Sequence, residues 1–316
     1  VTALDATTQL LQVLCALALA PAFLGWVSQC RAWLQNRTAP SLLQPYRGLH
    51  KLLRKESVLA ENASSLFRFA PYIVFGTMVA AAAIIPSMGT GLPMSVAADG
   101  IALVGLLATA RVFLSLAAMD VGTAFGTLGA RREMMVGFLA EPALLMTLFV
   151  AAMISHTTSL PLIAAELTTR APALYPSLAF TAVAFTMVLL AENARIPVDN
   201  PATHLELTMI HEAMLLEYSG RHLALMEWAA ALKLFNYACI GFALFLPWGA
   251  SREAWGPAGL ALAAPLLLLK LAVAGAVLAL IETVSAKLRV FRAPEFLATA
   301  FLMAVLGLLV HLLLGD

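Results

Sequence analysis

Eight stretches long and apolar enough to cross a bilayer recur along the chain, at roughly 9–30, 67–88, 97–119, 134–155, 174–194, 226–248, 257–281 and 295–314. A helical span needs about 20 apolar residues. Only 12% of the 316 residues are charged, against about 25% in a soluble domain. The chain therefore reads as an all-α integral membrane protein, a single membrane domain over 1–316 with about eight transmembrane helices. Pro172 and Pro176 break the fifth stretch early, and the third carries Arg111. Trp26, Trp33, Tyr72, Tyr175, Trp228, Trp248 and Trp255 stand near the ends of spans, where interfacial aromatic belts sit. The first stretch is long and lacks a small-residue cleavage site ahead of a soluble domain, so it is read as a span, not a removable signal.

The basic residues orient the bundle. The first, third, fifth and seventh connections hold 14 of the 19 Lys and Arg, seven of them between Arg31 and Arg68. The even connections hold only Arg170 and Arg252. By the positive-inside rule the odd connections are cytoplasmic and both termini lie outside. Arg111, Lys233 and Lys270 stay within spans. Residues 40–56, PSLLQPYRGLHKLLRKE, are too polar to span. Leu49, Leu52 and Leu53 share a face ringed by Lys51, Arg54 and Lys55, as in an amphipathic helix on the cytoplasmic surface. No repeat, low-complexity run or flexible linker appears.

Acids concentrate between the fifth and sixth spans. From Ala191 to Trp228 there are five Glu and one Asp, a third of the chain's 18 acidic residues, with His204, His211 and His222. Carboxylates at membrane depth are costly unless they meet water, cations or one another, so they suggest an ion path. Within this loop, at 195–225, Pro197 ends the fifth span. Asn200 and Pro201 then suit the start of a new helix, and Thr203 with Glu206 fits a capping box. Glu206, Ile210, Ala213 and Glu217 fall on one stripe of that helix, His204, Thr208, His211 and Leu215 on another. Gly220 is its stop signal. The interleaved Leu, Ile and Met ask for burial.

Clustered carboxylates in low dielectric raise one another's pKa and can pass protons near neutral pH, with His204 and His211 as relay partners. The ion-path candidates are Glu141, Glu192, Asp199, Glu206, Glu212, Glu217, Glu227, Lys233, His204 and His211. For Glu206 the plainer reading is a helix cap; for Asp120 and Glu282 it is an interface anchor. Glu141 lies deep in the fourth span, and Arg132 or Lys233 is its expected partner. His204, His211 and Glu212 offer metal-ligand atoms, but not at the HExxH spacing. Cys15, Cys30 and Cys239 are far apart, whereas an iron–sulfur cluster takes four Cys, so no metal or cofactor is expected in this chain. No Ser/His/Asp triad, Gly-rich phosphate loop or nucleotide motif is present. Nucleic-acid binding is disfavoured, because the basic loops are accounted for at the membrane surface.

Four blocks carry a family resemblance over nearly the whole length. Arg37 to Glu56, RTAPSLLQPYRGLHKLLRKE, is similar to a surface helix with R-x-G-P, Q-P and K-L-x-x-K-E elements. Gly129 to Glu141, GARREMMVGFLAE, is similar to a G-x-x-R…E block. Glu192 to Gly220 resembles an E-x-x-R-x-P-F-D…E-x-E-L…E-Y-S-G loop. Lys287 to Pro294, KLRVFRAP, resembles a basic last cytoplasmic loop. Together they resemble the membrane subunit shared by respiratory complex I, where it forms the quinone chamber, and the group 4 membrane-bound [NiFe] hydrogenases. Thr38 and Ala39 replace the family's Gly before Pro40, and Pro197-Val198-Asp199-Asn200 replaces P-F-D-L. PVDNPATHLELTMIHEAMLLEYSG looks closest to the formate hydrogenlyase and hydrogenase-4 forms, which need no quinone headgroup site.

The resemblance implies a membrane anchor and ion-coupling subunit in a bacterial or archaeal inner membrane. It implies peripheral hydrogenase large and small and iron–sulfur subunits docked on the cytoplasmic face, near Arg37, Lys51 and Arg132. It implies [NiFe] and iron–sulfur clusters in those partners, and antiporter-like subunits beside it in the bilayer. Arg195 and Lys233 are the implied countercharges to the acids. Three other readings stand beside it: a quinone-chamber subunit, a stand-alone transporter, for which paired broken helices in internal repeats are missing, and a passive anchor.

Overall fold

The structure, a computed structural model, describes residues 3–91, 93–169, 175–199, 209–249, 257–288 and 292–314. Among these residues it is helical: α1 (Ala3–Leu34), α2 (Gln44–Leu53), α3 (Ser65–Ile84), α4 (Gly100–Asp120), α5 (Ala124–Ser155), α6 (Leu160–Thr169), α7 (Pro176–Glu192), α8 (His211–Leu215), α9 (Gly220–Phe245), α10 (Pro257–Val284) and α11 (Ala293–Leu314). Seven of them are long and apolar enough to cross a membrane, and α7 is a shorter apolar helix. All eight expected spans are therefore helices.

Side-chain caps set several boundaries. Ser64, Asp99 and Thr123 accept backbone N–H groups at the starts of α3, α4 and α5, satisfying donors the helix leaves open. The Thr123 cap starts α5 ten residues before the expected span (expected at 134, found at Ala124). Arg131, Arg132 and Glu133 thus stand on a helix, not in a loop. Pro176 opens α7, where a missing N–H costs nothing. Helix α6 was not anticipated, since its ten residues fall short of a span; Leu160, Ile163, Ala164 and Leu167 are its buried stripe.

Lipid is as apolar as leucine, so membrane helices associate through close packing and polar contacts. The core reflects this. Ala81, Ala117, Ala130, Ala140, Ala143 and Ala304 are fully buried, letting neighbouring backbones approach. Helices α3, α4 and α5 pack in sequence, α11 sits against α5 and α7, and α9 against α3 and α1. Two of the tryptophans expected at interfaces also fasten helices together. Trp26 donates to the Ala272 carbonyl at 2.9 Å and Trp228 to that of Leu17 at 3.1 Å. Asn236 donates to the Met78 carbonyl at 2.9 Å. Trp33, Tyr72 and Trp248 are exposed, and Trp255 lies outside the described residues.

The amphipathic helix is present as α2, against α9 and α1, with Leu49 buried and Lys51 exposed. The acidic loop is not one helix from Asn200 to Glu217. Asn200 to Thr208, with the expected cap, lie outside the described residues; Met209 and Ile210 are not helical, and α8 is one short turn. Gly220 does not stop a helix but starts α9 with φ +53°. A Cβ there would lie 2.6 Å from the Glu56 carbonyl oxygen, so the α2–α3 connection runs against it. Tyr218 stacks on Phe67 at 4.1 Å and donates to its carbonyl, and Ser219 exchanges hydrogen bonds with Val58 at 2.8 Å.

Gly220→Val is expected to destabilise the protein by about 1–3 kcal/mol from backbone strain alone, more with the clash. Thermal unfolding in detergent measures it, with Ser219→Ala as the milder comparison.

Candidate functional site

Arg111 stands near the middle of α4, about 14 Å from the helix end at Asp120 at the rise of an α-helix, and is 5% exposed. A guanidinium there requires partners. It has three carboxylates. Its two terminal nitrogens contact Glu141 of α5 and Glu192 of α7, and its Nε lies 3.6 Å from Glu133 of α5. Lys233 of α9 lies 2.9 Å from the other Glu192 oxygen. Buried Tyr237, one turn further along α9, stands beside the same carboxylate.

Helix geometry makes this possible. Glu133, Gly137 and Glu141 follow one another at intervals of four residues, on one slowly turning face. Arg111 lies across Gly137, where a Cβ would be 2.7 Å from its Cδ and 2.8 Å from its Cζ. The glycine leaves the trough in which the guanidinium lies, and the two acids close its ends. Arg132, an expected partner of Glu141, is nine residues away on the same helix and points to the opposite side. It donates instead to the Met209 carbonyl at 2.7 Å. Lys233 serves Glu192, not Glu141. The five charged groups comprise two cations and three carboxyls, formally one negative charge when all are ionised.

A cavity of about 400 Å³ opens beside this cluster, between α1, α2, α8, α9 and the end of α7. Its polar lining includes Glu192, Arg195, His211, Glu212, Glu227 and Lys233. A second cavity of about 30 Å³ lies deeper and is lined by Arg111, Glu133, His211 and Lys233. His211 and Lys233 border both. The polar surface is thus nearly continuous from the larger cavity to Arg111, and Glu141, whose side chain is 35% exposed, lies beyond it on the flank of α5.

The loop is held over the cluster by its own contacts. Asp199 is buried, 3.6 Å from Lys287, and accepts the His211 backbone N–H at 3.3 Å. A Cβ on Gly129 would be 2.8 Å from the Ile210 carbonyl oxygen, so α8 rests directly on α5. Arg195 pairs with Glu282 at 3.1 Å, and Arg31 joins at 3.5 Å. Glu282 is therefore a buried tie between α1, α10 and the loop, not an interface anchor, and Arg195, though it lines the same cavity as the path acids, forms its ion pair with Glu282. Asp120 accepts the Ser64 N–H at 2.8 Å, a local structural contact. Glu217, Arg37 and Lys51 are exposed and line neither cavity. His204 and Glu206 lie outside the described residues.

The His211 imidazole is pushed down to about 4, by burial first and by the Lys233 charge second, with Asp199 opposing. It is neutral at pH 7, able to take a proton on one ring nitrogen and release one from the other. Burial also lowers the Arg195 guanidinium against the pull of Glu282. Among the described residues no group of three or more His, Cys, Asp or Glu is placed to hold a metal. Arg111 and Glu133 are the central residues that sequence reasoning did not single out. The readable signal was E-x-x-x-G-x-x-x-E beside a lone mid-span Arg.

A family model described as NADH dehydrogenase matches residues 8–313. The chain is 35% identical over 303 residues to formate hydrogenlyase subunit 4 of Escherichia coli (strain K12), covering 94% of this chain and 96% of that protein. It is 35% identical over 246 residues to hydrogenase-4 component C of the same organism, covering 77% and 76%. Its fold matches a chain of the membrane-bound sulfane sulfur reductase, an archaeal respiratory membrane complex, with TM-score 0.81 at 21% identity, over 96% of this chain and 98% of that one.

Arg111→Met is expected to cost about 3–5 kcal/mol by stranding buried carboxylates, and Arg111→Met with Glu192→Gln less than the sum; thermal unfolding of the four proteins closes the cycle. His211 makes a separate prediction. Its lowered pKa stabilises the fold fully above the unfolded value of 6.5 and progressively less as pH falls towards about 4. His211→Gln should flatten that part of the pH–stability profile.

Proposed function

The chain belongs to the NADH dehydrogenase family, and from that premise we propose that it is the ion-coupling membrane subunit of a complex I-like membrane-bound hydrogenase or formate hydrogenlyase. The continuity of the larger cavity, the inner cavity and the Arg111 cluster carries this reading. Ions, protons or sodium, enter at Glu212 and Glu227 on the cavity wall. For protons, His211 and water in the inner cavity pass them to the cluster. That cavity, about 30 Å³, has room for one or two waters. Glu192 and Glu133 hold charge against Arg111 and Lys233, and Glu141 delivers it at the flank of α5. Asp199, which accepts the His211 backbone N–H, is a further candidate for the path, as are His204 and Glu206, which lie outside the described residues.

Partners follow from the surfaces. Glu141 is flanked on α5 by Met134 and Phe138, 47% and 79% exposed. A carboxylate at this depth is not left to lipid. An antiporter-like membrane subunit covering this face would receive the ion. At the charged-loop end, exposed Arg37 and Lys51 offer docking contacts to the peripheral hydrogenase and iron–sulfur subunits, which hold the [NiFe] and iron–sulfur clusters. That end is cytoplasmic, both termini lie outside, and the membrane is a bacterial or archaeal inner membrane. The whole chain acts as one membrane domain.

One observation favours the quinone-chamber reading as a second choice. The 400 Å³ cavity is of ligand size and is walled by Pro21, Leu24, Leu49 and Leu234. Quinone copurifying with the complex, displaced by quinone-site inhibitors, would favour it.

In vesicles bearing the whole complex, Glu141→Gln and Glu192→Gln should evolve hydrogen while ion translocation falls, and Glu217→Gln should retain both. Undiminished translocation in the first two variants would sink the path. Omitting sodium separates the two ions.

A further inference from the structure

A second apolar opening, of about 250 Å³, lies between α1, α7, α9 and α10. It exists because α10 packs along α1 while making little contact with α9. Phe185, Tyr237, Phe242, Phe245, Ala274 and Leu278 line it. The crevice follows α9 from Leu234 to Leu246, twelve residues or about 18 Å of helix. One leaflet contributes about 15 Å of hydrocarbon, half of a core of about 30 Å. The crevice thus has the length of one acyl chain and occupies the leaflet away from the charged loops.

An independent feature stands at that end. Lys270, one turn before Ala274, donates to the Leu246 and Trp248 carbonyls at 2.5 Å each, and its ammonium is 5.8 Å from the centre of the Phe242 ring. Among the described residues no salt bridge to a carboxylate engages it. Two of its three N–H groups are used, and the third is available to an acceptor. Both acceptor carbonyls lie just past the end of α9 at Phe245, so the lysine head is at the end of that span, the level at which a snorkelling lysine meets lipid headgroups. An unfilled crevice would forfeit the dispersion contacts of its walls, and in a bilayer the molecule at hand is lipid.

We propose that this crevice binds one anionic phospholipid, with an acyl chain against Phe185, Phe242 and Phe245 and the phosphate on the Lys270 ammonium. The chain seals the lipid side of Tyr237, which stands beside Glu192, and keeps water from the central charges on that flank. The proposal is independent of whether the Arg111 cluster conducts ions.

Native mass spectrometry of the purified complex tests it, with phosphatidylglycerol and phosphatidylcholine added back after delipidation. The wild-type complex should retain one phospholipid and prefer phosphatidylglycerol. Ala274→Phe, which fills the crevice, should lose that lipid, and so should Ala182→Phe from the α7 wall, which keeps the test sound if the first variant fails to assemble. Lys270→Gln should keep a lipid but lose about fivefold of the anionic preference, the effect of one basic residue near a headgroup. A wild-type complex with no retained phospholipid, filled variants that bind as before, or an unchanged preference in Lys270→Gln would each overturn it. A partner helix occupying the crevice would appear as the first of these.

Discussion

The fold closes around one mid-membrane guanidinium. Arg111 meets carboxylates from α5 and α7, and Lys233 brings α9 to the same Glu192. Charges so deep are tolerated only when paired, so this contact demands that four helices meet at one level. Gly137 is part of the same constraint, because any side chain there would occupy the space of the guanidinium. The alanine-rich faces around it let the backbones come close enough for short side chains to reach.

The loop between α7 and α9 forms the upper wall of this arrangement. Lys287 and Asp199, Arg132 and the Met209 carbonyl, and Gly129 under Ile210 tie it down. Its imidazole, His211, is thereby placed between a cavity of about 400 Å³ and one of about 30 Å³. A neutral histidine that borders two cavities can accept a proton on one ring nitrogen and release one from the other. The neighbouring Tyr218, Ser219 and Gly220 touch neither cavity. They bind the connection after α2 and so position the helix that walls the larger cavity. Residues adjacent in one motif thus divide between positioning and charge.

The family match spans residues 8–313, and the likeness in fold covers 96% of the chain. The relatives named are subunits of larger complexes, consistent with a chain that keeps Glu141 half-open on a flank of exposed Met134 and Phe138.

Sequence alone determined the class, the eight helices and the surface helix, because about 20 consecutive apolar residues leave the backbone no other way to satisfy itself in lipid. It also marked the acidic loop and most of the charges near the cavity. It misjudged what Arg132, Arg195 and Glu282 would touch, and it drew one long helix where the described residues hold a single turn. Only tertiary structure decided that Arg111 joins Glu133, Glu141 and Glu192, that His211 borders two cavities and that Glu217 is exposed and lines neither. Helical periodicity tells which side of its own helix a residue occupies. Which neighbour that side meets depends on how the helices cross, and small buried residues scattered through the whole chain set that.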